Sequence, residues 1–128
     1  MKSIRLLALC GLFCAPLLSA VAQSDYSVGL VFLSGSDRLA NDSQPELIEE
    51  IADRMKSDPR SRAHITGYGK PGETHYIYGG RISPMGEARA ERVRRYLVTL
   101  FGIDPARIVI ASATSRDEPM AIIALSEK

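Results

Sequence analysis

One stretch restricts the fold of this chain more than any other. It runs from His64 to Phe101 and reads HITGYGKPGETHYIYGGRISPMGEARAERVRRYLVTLF. A short strand leads into a long Gly-rich loop, and the loop into the longest helix of the protein. In that helix Val93, Tyr96, Leu97, Leu100 and Phe101 follow the i, i+3, i+4, i+7, i+8 spacing of an apolar stripe. One turn before Val93, on the same stripe, stands Arg89. A guanidinium at the edge of a core face needs an anion, a group of carbonyls or a ligand, because an unpaired buried charge is costly. A carboxylate of the same chain would satisfy it as well as an external one.

The flanking segments supply the rest of one α/β domain. Tyr26 to Leu33 (YSVGLVFL) is apolar on both alternating faces, the pattern of an interior strand. After a polar turn from Ser34 to Asn41, Ser43-Gln44-Pro45-Glu46 forms a capping box with proline in the first turn. Leu47, Ile48, Ile51 and Met55 are the stripe of a first helix, Glu50 and Arg54 pair outside it, and Ser57-Asp58-Pro59 ends it. Arg62 to Tyr68 is a second strand, and strand–helix–strand at this length implies a right-handed crossover and a parallel pair. Ser83-Pro84 is the N-cap and first residue of the second helix, with Glu91 and Arg95 paired outside and Gly102 as C-cap. Arg107 to Ala113 is a third strand and Met120 to Leu125 a fourth, antiparallel one. The fold class is thus α/β: a two-layer βαβαββ sandwich, a mixed sheet of four strands with two helices on one face.

The first 22 residues stand apart. Lys2 and Arg5 precede the apolar run Leu6 to Leu18, and Ala20-Val21-Ala22 offers a small-x-small cleavage pattern before Gln23. This is a cleavable export signal, and its apolar run is too short for a comfortable span. Leu9 and Phe13 precede the two cysteines, so neither Cys10 nor Cys14 carries a lipoprotein pattern. The domain is expected to occupy residues 23–128, exported and not membrane-spanning. It contains no cysteine, which excludes disulfides, a thiol nucleophile and a thiolate metal site. Without Lys2 and Arg5 there remain 14 basic against 15 acidic side chains. That balance carries no electrostatic argument for nucleic acid.

Catalytic and cofactor patterns are absent. No G-x-S-x-G elbow or H-E-x-x-H pair occurs, and Gly67 to Gly72 has the wrong order for a phosphate loop. His64 and His75 have no third ligand nearby and read as satisfied surface histidines, so neither metal nor cofactor is expected. The loop from Gly69 to Ile82 holds four of the ten glycines together with Tyr76 and Tyr78, and a connection of this length in a compact domain is commonly functional.

Several short patterns, in order, resemble the OmpA-like domain, a periplasmic module that grips peptidoglycan. Phe32 with Ser34 to Leu39 is similar to the family's "F-x-x-x-S-x-x-L", and Ile65-Thr66-Gly67-Tyr68 to its "I-x-G-Y/H-T-D" strand. Arg89-Ala90-x-x-Val93-x-x-x-Leu97 fits "R-A-x-x-V-x-x-x-L", Gly102-Ile103 with Arg107-Ile108 fits "G-I-x-x-x-R-I", and Glu118-Pro119 echoes the late "x-P". The resemblance implies a non-enzymatic envelope protein of the periplasm, near the outer membrane, that contacts the diaminopimelate end of a wall peptide. In the family an aspartate after Gly-Tyr takes the ammonium group, and the arginine of R-A takes a carboxylate. Arg89 fills the arginine position, and arginine grips carboxylates bidentately. Gly69-Lys70 stands where the aspartate belongs, so a base replaces an acid. At ~4 Å and an effective dielectric of ~20 each such charge term is roughly 4 kcal/mol before screening. Glu73 is the acid inside the loop able to take the aspartate's place. The candidate ligand contacts are Arg89, Glu73, Gly67, Tyr68, Gly69, Lys70 and Ser83, with the backbone of 67–72 as floor. The loop is also longer than the family's by about four residues, and the closing "N-R-R-V" strand is replaced by Met120 to Leu125. The competing expectation is an envelope module that kept the fold, lost wall recognition, and binds a periplasmic or outer-membrane protein through Lys70 and the tyrosine loop.

Overall fold

The computed structural model describes residues 26–41, 44–76, 81–115 and 119–127. The export signal, the Ser43 cap, Tyr78 and Glu118 lie outside these residues. Along the chain come strand β1 (Tyr26–Val31), helix α1 (Gln44–Ser57) and strand β2 (Ser61–Gly69). A short ribbon of β3 (Thr74–Tyr76) and β4 (Ile82–Pro84) follows. Helix α2 (Met85–Arg95) runs on into a π-helical turn (Tyr96–Leu100). Strands β5 (Ile108–Thr114) and β6 (Met120–Glu127) complete the domain.

The expected α/β sandwich is present, a mixed four-stranded sheet with both helices on one face, in the order β1-β6-β2-β5. Alternation decides which face is covered. In β2 the residues Ala63, Ile65, Gly67 and Gly69 are buried while Arg62 and His64 are exposed. Ile48, Ile51 and Met55 of α1, Val93 of α2 and Leu97 beyond it close over that face with Leu30, Ile65, Ile123 and Leu125.

Strand pairing departs from expectation in one respect. β2 and β5, joined through α2, are a directly bonded parallel pair. β1 and β2 run in the same direction but are not neighbours, because β6 lies between them, antiparallel to both. β1 is therefore an edge strand, not the interior strand its apolar sequence suggests, and β6 takes the central place. A segment such as Ala121, Ile123 and Leu125 fits there because all three are buried on the helix side while the strand bonds on both edges.

The helix ends also differ from the simplest reading. α2 starts one residue late: Pro84 is the N-cap and makes no side-chain cap, and Ser83 belongs to β4. The loop expected to be irregular contains the β3–β4 ribbon. At the far end the π turn advances fewer degrees per residue than an α-helix, so the stripe rotates. Leu97 stays fully buried while Leu100, expected on the same stripe, is 63% exposed. Gly102 closes the helix as expected, at φ +72°, with its amide donating to the Val98 carbonyl and that of Ile103 to Leu97. Of the expected helical pairs, Glu50–Arg54 forms at 3.4 Å. Glu91 turns instead to Arg94, at 2.6 Å.

α2 approaches β2 unusually closely. A Cβ built on Gly67 would lie 1.9 Å from the Gly86 carbonyl oxygen, and one on Gly86 would lie 2.5 Å from the Gly67 carbonyl oxygen. Only hydrogen at both positions permits this contact, which sets the start of α2, and Arg89 with it, directly over the end of β2.

Candidate functional site

Arg89 is 1% exposed and is the largest of the fully buried side chains. No acid of the domain clasps it among the described residues. Its Nε donates to the Ser36 carbonyl at 2.9 Å, and its Nη1 to the Tyr68 carbonyl at 2.6 Å. Nη2 is buried and has no hydrogen-bond partner among the described residues. By contrast Arg107, another arginine that spends itself on carbonyls, donates to those of Met55, Asp58 and Ser61 around the α1–β2 turn. Burial pushes the Arg89 guanidinium below its ordinary pKa, while the charges of Glu73 and then Asp37 pull it back up. The group remains cationic at neutral pH, since arginine starts far above it.

Beside Arg89 lies a small pocket of about 80 Å³, lined by Ser34, Gly35, Gly69, Lys70, Glu73, Arg89, Ser115 and Pro119. Glu73 is fixed there by reciprocal bonds. Its carboxylate accepts the Lys70 amide at 3.0 Å, and its own amide donates to the Lys70 carbonyl at 3.0 Å. The turn thus folds the acid back onto the backbone of residue 70, while the Lys70 side chain is exposed to solvent. Acid and base line one cavity without forming an ion pair with each other.

The sequence-derived contacts separate into distinct roles. Gly69, Lys70, Glu73 and Arg89 meet at the pocket. Tyr68 contributes its carbonyl to Arg89. Gly67 lines neither this pocket nor the one beside it, and serves instead as the spacer under α2. Ser83 is 3% exposed, and its hydroxyl, not used as a helix cap, has no partner among the described residues. It lines a neighbouring pocket of about 310 Å³, which shares Gly69, Lys70 and Glu73 with the first.

Asp37 and Arg92 belong to this region and were not singled out from the sequence. Asp37 is 5% exposed, and both its oxygens lie 3.2 Å from Arg92 Nη2. His75 Nε2 is 3.7 Å from the same carboxylate, so the β3 ribbon also meets this acid. Arg92 follows Arg89 by three residues on one helix face, and that spacing was the available signal: the two arginines together hold the Ser36-Asp37 turn. The other histidine, His64, reaches the Ser126 hydroxyl at 3.1 Å. Among the described residues no cluster of His, Cys, Asp and Glu could hold a metal ion, and no helix is long and apolar enough to cross a membrane.

Fold and site define an α/β domain whose buried arginine, lodged at the carboxyl end of a parallel strand pair, borders an open cavity instead of an internal acid. The chain belongs to the OmpA family, whose model matches residues 31–124. No curated protein matches it. Among solved structures it is similar to the periplasmic domain of Helicobacter pylori MotB, at 19% identity and a TM-score of 0.55 over 80% of this chain and 82% of that one. It is also similar to the OmpA-like domain of FopA1 from Francisella tularensis, at 15% identity and a TM-score of 0.59 over 79% and 72% of the two chains. The type VI secretion system cell wall anchor of Pseudomonas aeruginosa aligns at 17% identity and a TM-score of 0.57 over 80% and 81%. At these identities the likeness speaks for the fold.

Proposed function

We propose that this domain is a non-enzymatic binding module of the bacterial periplasm that contacts the diaminopimelate end of a peptidoglycan stem peptide. In this reading Arg89 Nη2 takes the ligand carboxylate, and Glu73 takes the ammonium in place of the family's aspartate. One observation carries the reading: Glu73 is pinned to the amide of Lys70 and lines the same pocket as an arginine with one buried nitrogen unpaired. A zwitterionic end group needs one acid and one base held apart, and a pair already joined would leave it nothing to bind. The fold likeness to a cell wall anchor and to a periplasmic domain supports the setting.

The test is co-sedimentation of the protein, expressed without residues 1–22, with insoluble purified peptidoglycan, with and without free diaminopimelate as competitor. The wild type is expected in the pellet and released by the competitor. Glu73→Gln, which keeps the turn's shape and removes the charge, is expected to weaken retention about tenfold, in keeping with the loss of one charge-assisted bond. Wild type that stays in the supernatant refutes the proposal.

A second reading draws on the far side of the cleft. Ile82 is 59% exposed and lines the larger pocket together with Lys70. That pairing of an apolar side chain with a free cation suits an acidic protein surface in the envelope, and protein that ignores peptidoglycan altogether would favour it.

A further inference from the structure

The larger pocket shares Gly69, Lys70 and Glu73 with the smaller one, and its other walls are specific. It lies at the start of α2 and includes Ile82, Ser83, Met85, Gly86, Ala113 and Thr114. Three features there favour negative charge. Among the described residues the buried Ser83 hydroxyl has no partner, a condition that is costly if nothing satisfies it. The first turn of α2 has no side-chain cap. Although the Met85 amide donates to the Glu73 carbonyl at 2.9 Å, the amide of Gly86 has no acceptor within the helix. Lys70 also lines this pocket, and among the described residues no acid pairs with its side chain.

Each acid nearby has a partner of its own, and Glu73, which lines both pockets, keeps one oxygen for the ammonium of the smaller one. Glu73 is bonded to the Lys70 amide, and Glu87, in the first turn of α2, is paired with Arg81 at 2.9 Å. Ile82, Pro84, Met85 and Ala113 give the pocket apolar walls, interrupted by Thr74, Ser112 and Thr114. The occupant that fits is a small apolar residue ending in a free carboxylate.

We infer that this pocket is a second subsite, which receives the terminal alanyl carboxylate of a stem peptide through Lys70, Ser83 and the first turn of α2. The inference rests on the proposed function, since it presumes that the adjoining pocket holds the diaminopimelate end of the same peptide. It also accounts for the base at position 70: the lysine faces the carboxylate of the larger pocket, and Glu73 supplies the acid for the smaller one.

The experiment compares two synthetic tetrapeptides by calorimetric titration. Both carry diaminopimelate followed by D-alanine, one ending in a free carboxylate and the other in a carboxamide. The free acid is expected to bind about tenfold more tightly than the amide, the size of one charge-assisted interaction. Ser83→Ala and Lys70→Gln are each expected to shrink that ratio towards one, and the melting temperature of each variant reports whether it remains folded. If acid and amide bind equally well to the wild type, the second subsite is wrong while the diaminopimelate reading stands. If neither peptide binds, both readings fall.

Discussion

Replacing Arg89 by methionine separates the two tasks of this side chain, holding the domain together and meeting a ligand. The substitution keeps an unbranched side chain that fills much of the same space, and it removes every donor. The Ser36 and Tyr68 carbonyls lose their bonds, at 2.9 and 2.6 Å, to a charged donor. Each such bond contributes about 1.5–3 kcal/mol. Against this, the variant no longer desolvates a guanidinium, whose effective burial penalty amounts to several kcal/mol. The two effects largely offset one another, leaving a net loss of about 2 kcal/mol. For a domain of about 100 residues that corresponds to a fall in melting temperature of roughly 8–16 °C. Scanning calorimetry of the domain, with denaturant titration to check that the transition stays two-state, measures the shift. A variant as stable as the wild type, or more so, would show that the guanidinium does not tie the Ser36 turn to β2. Any loss of peptidoglycan retention could then be assigned to the ligand contact alone.

Gly67→Ala should be severe, because the new methyl would meet the Gly86 carbonyl oxygen at 1.9 Å and the Ala90 nitrogen at 2.8 Å, both backbone atoms. A loss of at least ~3 kcal/mol is expected, and an alanine variant with an unchanged denaturation midpoint would contradict the close packing of α2 on β2. Asp37→Asn leaves Arg92 without its carboxylate and frees His75 from it. A loss of about 1–2 kcal/mol is expected, with faster amide exchange in residues 34–39 and in β3, and unaltered exchange there would show that the acid does not clamp these two segments together.

The features legible in the chain are those decided within one or two turns of backbone. The alternation in β2 separates its two faces. The stripe through Leu47, Ile48, Ile51 and Met55 marks the buried side of α1, and Gly102 marks a helix end needing positive φ. Arg89 stood out for the same reason, as a charge on an apolar stripe. Other features depended on segments far apart in sequence. Asp37 read as part of a polar turn because its partner Arg92 lies 55 positions away. β1 read as interior because nothing local shows that the last strand will insert beside it.

The site divides along the same line. That a cation would sit on an apolar stripe after the loop follows from residue type and spacing, whereas the expectation that Lys70 stands at an acid's position, with Glu73 as the acid at hand, came from the family resemblance. Whether the guanidinium would be quenched internally depended on three-dimensional packing. Carbonyls 21 and 53 positions distant take two of its nitrogens, and among the described residues no carboxylate reaches the third. Ser83 makes the point most simply. Its sequence neighbours mark it as a cap, but pairing of β3 with β4 holds it in a strand until α2 has begun one residue later. Local preferences of this kind are worth about 1 kcal/mol, whereas sheet pairing and core burial sum over many residues, so the wider assembly prevails wherever the two disagree.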